Sequence, residues 1–261
     1  MKLYLLSGGT LDADRAVIHP GDDSHRMVTL PVIQVLICSS GFDGRQQRVL
    51  FDTGMPACAY GDSQGLKREY DIAPTWIKSL AAPRERVDAQ LALLGLKPSD
   101  LDLVVNTHFH FDHAGGNALF VGVPIAAQEA ELVAARESED YLPIWDVPGL
   151  QFQPVRGDWS PLPGVEMLFT PGHTPGHQSM LVRLEQQPWL FTWDAVYTEE
   201  HWREGKVGAV KDVAAARASL DRLRRIAAEE KAKVIFGHDI VQWGSLGMSQ
   251  AGVPRLVASD E

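Results

Sequence analysis

Three histidines and one aspartate lie within six residues of this chain, in the sequence HFHFDH. The group consists of His108, His110, Asp112 and His113. The apolar run at 103–105, typical of a buried strand, ends two residues earlier, so the group is expected at a strand end. Imidazole and carboxylate groups are ligands of zinc and related ions, whereas crowded histidines without a metal lower one another's affinity for protons. The motif therefore predicts a metal site rather than core packing.

Three further apolar runs lead directly to candidate ligands. The pairs of run and ligand are 165–169 with His173, 189–193 with Asp194, and 234–237 with His238. Strand ends that meet at one edge of a layered fold would bring these side chains together. The total of five histidines and two aspartates exceeds the three or four protein ligands that one zinc ion takes. We therefore predict two ions, with Asp194 as the carboxylate that bridges them.

Other polar residues allow more than one interpretation. His177 follows His173 closely, and we expect it to be structural, because another ligand would overfill the site. Asp52 ends an apolar run; it either accepts a hydrogen bond from a liganding imidazole or forms a turn. The remaining candidates lie in polar loops and are expected to be solvated histidines: His19, His25 and His201.

Composition limits the class of protein. The 261 residues are 45% hydrophobic and 22% charged, which predicts a globular chain, and we expect one domain over residues 1–261. The net charge of −10 disfavours nucleic acid and anionic membranes as partners. Cys38 and Cys58 form no C-x-x-C pair, which favours a reducing compartment. No apolar stretch is long enough for a signal peptide or membrane span, so a cytoplasmic location is expected.

The hydrophobic pattern alternates strand-like and helical segments. The predicted strands are 28–38, 47–52, 101–105, 165–170, 179–184, 189–193 and 233–236. A helix is predicted over 212–229, with Asp212 as its N-cap and the apolar stripe Val213, Ala216, Leu220, Leu223 and Ile226, and a second over 84–94, ending at Gly95. Residues 12–27 and 138–162 lack a sustained period and are predicted to be long loops that flank the active site.

From about residue 30 to residue 238, these motifs resemble the metallo-β-lactamase superfamily, and among its members the N-acyl-homoserine lactone lactonases most of all. The shared runs are FDTGMP at 51–56, HFHFDHAGGN at 108–117, TPGHTPGHQS at 170–179 and FGHD at 236–239. Asp194 is followed three residues later by Tyr197, as in that subfamily, and this tyrosine separates lactonases from glyoxalase II and the β-lactamases proper.

The resemblance implies an α+β, four-layer αββα sandwich with two metal ions in a cleft at the sheet edge. It implies that His108, His110 and His173 hold one ion, that Asp112, His113 and His238 hold the other, and that Asp194 bridges both. Zinc is the expected metal, and iron, cobalt and manganese suit the same ligands. A homodimer is also implied.

The expected reaction is hydrolysis of the lactone ring of N-acyl homoserine lactones, with quorum quenching as its consequence. Two ions that share a water lower its pKa, so a bridging hydroxide is the expected nucleophile. Tyr197 is the candidate donor to the developing oxyanion, and Asp112 either carries a proton to the leaving alkoxide or serves only as a ligand. The alternatives are another lactone such as a pyridoxine-derived one, a thioester or a β-lactam, and a metal-binding sensor without enzymatic activity.

Aromatic residues of the second predicted loop have two interpretations. Tyr141, Trp145 and Trp159 either form an apolar wall for an acyl chain, together with Leu142, or pack against the protein's own core.

Overall fold

Two β-sheets form the centre of the fold in the computed structural model, which describes residues 1–248 and 252–259. The strands are β1 (Lys2–Asp14), β2 (Met27–Ser40), β3 (Gln46–Phe51), β4 (Ile77–Ser79), β5 (Leu103–Val105), β6 (Pro124–Gln128), β7 (Gln151–Val155), β8 (Trp159–Leu162), β9 (Val165–Phe169), β10 (Gln178–Val182), β11 (Trp189–Trp193), β12 (Lys233–Phe236) and β13 (Arg255–Ser259). The α-helices are α1 (Gly65–Tyr70), α2 (Val87–Leu93), α3 (Phe111–Ala114), α4 (Glu129–Glu137), α5 (Glu199–Glu204), α6 (Val213–Glu230) and α7 (Ile240–Ser245). Within these residues, no helix is long and apolar enough to cross a membrane.

Strand order brings the predicted ligands to one edge. The larger sheet has the order β13-β1-β2-β3-β5-β6-β7, with β4 beside β1, and the smaller sheet has the order β12-β11-β10-β9-β8. β3 and β5 are parallel, so the residues that follow them leave the sheet on the same side. In the smaller sheet β9 and β11 are both antiparallel to β10, and β12 is parallel to β11, so these three also share a direction. Every predicted ligand follows one of these strands.

Three apolar layers hold the sheets and helices together. Alternate strand residues such as Val35 and Phe51 meet Met180 and Phe191 of the other sheet in a buried core. On the outer face of the larger sheet, Leu36 and Leu50 pack with Val87 and Leu91 of α2. On the outer face of the smaller sheet, Leu181 and Leu190 pack with Leu220 and Leu223 of α6. The arrangement is the predicted four-layer αββα sandwich. The assignment of residues 1–261 to one domain stays a prediction.

The two predicted helices are present. Asp212 caps α6 by accepting hydrogen bonds from the backbone amides of Ala214 at 2.9 Å and Ala215 at 3.0 Å. Val213, predicted to lie on the apolar stripe, is instead 51% exposed at the first position of the helix, and the buried stripe begins with Ala216. The helix predicted over 84–94 is shorter and begins at Val87, and Gly95 follows it with a φ of 73°.

The two segments predicted to be long loops contain regular structure. β1 continues to Asp14 because residues 10–14 pair with β2, and a 3-10 turn follows at Arg15–Val17. The prediction of a loop over 138–162 was wrong for β7 and β8. β7 is an edge strand with mostly exposed side chains, so it lacks an alternating apolar pattern, and its Pro154 is tolerated at an edge.

Candidate metal centre

The seven predicted ligands converge in two adjacent groups. The first group is His108, His110, His173 and Asp194, and the second is Asp112, His113 and His238. Each residue offers one ligand atom, and the ligand atoms of a group lie within 4.8 Å of one another. Apart from the half-buried His110, these side chains are buried. Imidazoles and carboxylates at this spacing fit the donor set that zinc and related divalent ions take.

Asp194 lies between the two groups. Its Oδ1 atom is 3.1 Å from His238 Nε2 and 3.2 Å from His113 Nε2. Its Oδ2 atom is 3.3 Å from His173 Nε2 and 3.9 Å from His108 Nε2. One carboxylate oxygen therefore faces each group, which is the arrangement that a bridging carboxylate requires.

The HFHFDH motif is held in place by the backbone of α3 and by its packing against the segment after β3. His110 precedes the first turn of α3, and this turn carries Asp112 and His113. The turn packs tightly on the segment after β3. A Cβ atom at Gly115 would lie only 2.3 Å from the backbone nitrogen of Pro56 in that segment. Glycine at this position therefore permits the close approach.

Hydrogen bonds behind the ligands fix the orientation of three imidazoles. His113 Nδ1 lies 2.8 Å from Asp52 Oδ2, His173 Nδ1 lies 2.9 Å from the Ala209 carbonyl, and His238 Nδ1 lies 2.9 Å from the Pro31 carbonyl. Each acceptor favours a proton on Nδ1, which leaves Nε2 free to bind a metal.

Asp52 is itself held rigidly. It is fully buried, and Thr107 donates to it from its backbone nitrogen at 2.7 Å and from its hydroxyl at 2.8 Å. Of the two interpretations of Asp52, the hydrogen bond to a predicted ligand is therefore the one that the structure displays. Its backbone also adopts a φ of 61°, as a turn residue does.

Burial and neighbouring charges shift the pKa values of the histidines in the two groups in opposite directions. Burial lowers the pKa of His110 and of His173 to about 4, so both imidazoles are neutral at neutral pH. Burial also acts to lower the pKa of His113, but the carboxylates of Asp112 and Asp194 raise it well above its usual value. Burial opposes ionisation of Asp194, yet His238 and His113 hold its pKa well below the usual range.

A cavity of about 300 Å³ opens onto both groups. Its polar lining residues include His110, Asp112, His173, Asp194, Tyr197 and His238, and its apolar lining residues include Leu11, Ala13, Val17, Leu30, Trp76 and Ile77. The Tyr197 hydroxyl donates to the Ala209 carbonyl at 3.3 Å and lies 3.1 Å from His173 Nδ1. Its ring stacks on His238 with a centroid distance of 5.6 Å.

The aromatic residues at 141–159 do not line this cavity. Trp145 is 4% exposed and stacks on Phe109 with a centroid distance of 4.6 Å. Tyr141 belongs to the same buried cluster, and the Trp159 indole donates to Gln178 at 3.0 Å. The core interpretation of these aromatic residues is therefore confirmed.

Among the other histidines, His177 lies outside both groups, as expected, with its Nδ1 atom 2.9 Å from the Thr170 hydroxyl. His25 is exposed, also as expected. The expectation of solvation was wrong for His201, which is 1% exposed and bonds the Ile18 carbonyl through Nε2 at 2.9 Å. His19 is half-buried and stacks on His201 with a centroid distance of 4.5 Å.

The comparison with protein families agrees with this geometry. The model of the metallo-beta-lactamase superfamily matches residues 34–238, a span that contains every predicted ligand. The chain belongs to the metallo-β-lactamase superfamily.

Relatives within the superfamily cover nearly the whole chain. An N-acyl homoserine lactonase of a Bacillus species is 37% identical, with 92% of this chain and 94% of the relative covered. N-acyl homoserine lactonase AttM of Rhizobium radiobacter is 31% identical, with 94% and 95% covered. A crystal structure of a B. thuringiensis AiiA mutant, with N-decanoyl-L-homoserine bound at the active site, has a TM-score of 0.85 at 33% identity and covers 94% of this chain and 95% of its own.

Proposed function

We propose that the protein is a metal-dependent hydrolase that opens the lactone ring of N-acyl homoserine lactones, with zinc as its metal. The observation that carries this proposal is Asp194, whose two oxygens face two separate groups of imidazole and carboxylate side chains beside an apolar cavity. The lactonase names of the relatives, and the N-decanoyl-L-homoserine bound in one of them, support the same substrate class.

One ion would be held by His108, His110 and His173, and the other by Asp112, His113 and His238. Asp194 would contribute to holding both ions. When bound, two divalent ions supply a nucleophilic water of lowered pKa and polarise the carbonyl that is attacked. Two imidazoles of the first group, those of His110 and His173, need not lose a proton before they bind an ion. Burial holds their pKa near 4, so they are already neutral at neutral pH.

Tyr197 and Asp112 are the side chains proposed to act on the substrate directly. The Tyr197 hydroxyl donates to a backbone carbonyl at the cavity wall, and a lactone carbonyl oxygen could replace that acceptor. A hydrogen bond to this oxygen stabilises the negative charge that develops on it during attack. The Asp112 carboxylate also faces the cavity, so it can receive a proton and pass it to the leaving alkoxide oxygen.

The apolar walls of the cavity suit an acyl chain. Leu11, Val17 and Trp76 line the same cavity as the carboxylates of Asp112 and Asp194. Burial of an alkyl chain against such a wall contributes roughly 0.8 kcal/mol for each methylene group. The cavity thus combines polar residues for the lactone with an apolar surface for its acyl substituent.

We further propose that ring opening serves quorum quenching, that the protein acts in the cytoplasm, and that it is a single-domain protein that forms a homodimer. Measurement of the molecular mass of the protein in solution tests the dimer, and a mass equal to that of the monomer would contradict it.

A substrate panel tests the proposed function. Proton release is followed from the zinc-loaded protein with short-chain and long-chain acyl homoserine lactones, an aromatic lactone, a thioester and a β-lactam. We expect kcat/KM for acyl homoserine lactones to exceed that for the other classes by about 100-fold, since they combine a lactone ring for the polar residues of the cavity with an alkyl chain for its apolar residues. Faster turnover of another class, or no turnover with metal bound, would overturn the proposal.

A further inference from the structure

Glu131 is a fully buried carboxylate that the proposed mechanism does not use. It is the third residue of α4 and has no exposed surface. One carboxylate oxygen accepts a hydrogen bond from the backbone nitrogen of Phe109 at 3.0 Å. The other oxygen accepts one from the backbone nitrogen of Gly176 at 2.8 Å. A buried carboxylate requires such partners, because an unsatisfied charge in the protein interior is strongly destabilising.

The two amides belong to the two loops that carry most of the first metal group. Phe109 stands between His108 and His110, and Gly176 follows His173 by three residues. Across these loops, His173 Nε2 lies 3.2 Å from His108 Nε2 and 2.9 Å from His110 Nδ1. Glu131 therefore joins two backbone segments whose separation determines the distances among three predicted ligands.

Close packing makes this connection rigid. A Cβ atom at Gly176 would lie 2.3 Å from both the Cβ atom and the backbone nitrogen of Glu131, so glycine permits direct contact with the start of α4. On the other loop, the Phe109 ring packs in one buried cluster with Leu132 and Ala135 of α4. Neither loop can shift far from α4 without losing one of these contacts.

We propose that Glu131 is a positioning residue that sets the spacing of the two loops and thereby the geometry and affinity of the first metal group. It does not line the substrate cavity, and its hydrogen bonds to the two loops run to the backbone amides of Phe109 and Gly176. The inference rests on the proposed metal centre. It predicts that the second group, which Asp52 supports through His113, is affected much less.

Glu131→Gln is the decisive variant because it retains the shape of the side chain. The amide offers one acceptor oxygen, so one of the two backbone nitrogens must face an NH2 group instead. Glu129→Gln is the matched control, since Glu129 lies in the same turn but is bound to Arg156 at the surface. His238→Asn is the reference for a defect in the second group, because His238 is a predicted ligand of that group alone.

The test measures Co²⁺ binding without any substrate. Each variant is loaded with Co²⁺, its visible spectrum is recorded, and the two ions are removed stepwise with a chelator. In Glu131→Gln we expect one ion to bind about 10-fold more weakly, and we expect the spectral change to differ from that of His238→Asn, which alters the other ion. Glu129→Gln should match the wild type.

Unchanged spectra and release in Glu131→Gln would overturn the inference, even if the variant melts at a lower temperature, because the role would then be structural only. Equal weakening of both ions would also overturn it. If Glu131→Gln does not fold, Glu131→Asp replaces it, since the shorter side chain keeps the charge but cannot reach both amides. A wild-type protein that binds no Co²⁺ would instead overturn the proposed centre itself, a result distinct from either of these.

Discussion

At the level of single residues, the candidate site depends on which imidazole nitrogen faces inward. Asp52 and two backbone carbonyls, of Pro31 and Ala209, accept hydrogen bonds from Nδ1 atoms and so direct three Nε2 atoms toward the centre. Tyr197 shares the Ala209 carbonyl with His173. The side chain proposed to stabilise the oxyanion is therefore held by the same group that orients a proposed ligand.

Tyr197→Phe separates the hydroxyl from the ring. The ring stacking on His238 is retained, so we expect both metal ions to stay bound. Loss of a hydrogen-bond donor to the developing oxyanion should lower kcat for the acyl lactone by about 100-fold. Measurements of initial rates and metal content check this prediction. Tyr4→Phe is the control, because Tyr4 packs in the apolar layer on the outer face of the larger sheet. Unchanged kcat would exclude the proposed role of the hydroxyl.

The sequence contains the predicted ligands in a recognisable form because a compact motif and a few strand ends carry them all. Glu131 gave no such signal. Its partners are backbone amides 22 and 45 residues away, and any residue type except proline could supply such an N–H group. His201 was misjudged for the same reason, since its partner is the Ile18 carbonyl at a separation of 183 residues.

At the level of elements, the segment formed by the end of β1 and the turn after it contributes Ala13 and Val17 to the cavity wall. His201 of α5 fastens this segment by its bond to the Ile18 carbonyl. The Thr198 hydroxyl lies 2.7 Å from the other ring nitrogen, so the neutral imidazole has partners at both nitrogens. Burial lowers the pKa of His201, because a charged ring is poorly solvated there.

The lowered pKa of His201 predicts a pH dependence of stability. Below about pH 6.5 the unfolded chain binds a proton at this residue that the folded chain binds only at lower pH. The contribution of the neutral His201 imidazole to the free energy of unfolding is therefore complete above the pKa of His201 in the unfolded chain. It is lost as the pH falls toward the lower pKa of His201 in the folded chain. We expect the wild-type Tm to fall more between pH 7.5 and 5.5 than that of His201→Phe, as measured by thermal denaturation. Parallel pH profiles would contradict this prediction.

His201→Phe should also loosen the segment at neutral pH. The Ile18 carbonyl loses its imidazole donor, which costs about 1–3 kcal/mol when a buried group is left unsatisfied. We expect faster tryptic cleavage after Arg26 and a raised KM, with kcat less affected, because Val17 shapes the cavity rather than the reacting centre. Cleavage and KM equal to those of the wild type would show that His201 does not hold this wall.

Elements with a buried face were predictable, and elements at an edge were not. β2 and β12 alternate or bury apolar residues, so their positions follow from the sequence. β7 pairs with β6 but has three exposed side chains among its five residues, and β4 has only three residues beside β1. Hydrogen bonding of this kind leaves little trace in side-chain patterns.

At the level of the whole molecule, the four layers depend on helices that cover both outer sheet faces. Leu223 of α6 is fully buried against the smaller sheet. Leu223→Ala should lower the free energy of unfolding by about 2–5 kcal/mol, because it leaves a cavity in this layer. Arg225→Ala, on the exposed face of α6, should change it by less than about 0.5 kcal/mol. Urea denaturation measures both, and equal effects would contradict this account of the packing.

The central claim is that Asp194 joins two metal ions in a centre that opens lactones. The most direct test compares zinc content and proton release in Asp194→Asn with those of the wild type and of Asp221→Asn, an exposed residue of α6. We predict two zinc ions in the wild type and in Asp221→Asn. In Asp194→Asn, we predict fewer than two ions and a loss of at least about 100-fold in kcat/KM, because an amide offers one acceptor oxygen without charge. Two retained ions together with undiminished lactone hydrolysis in Asp194→Asn would contradict the account.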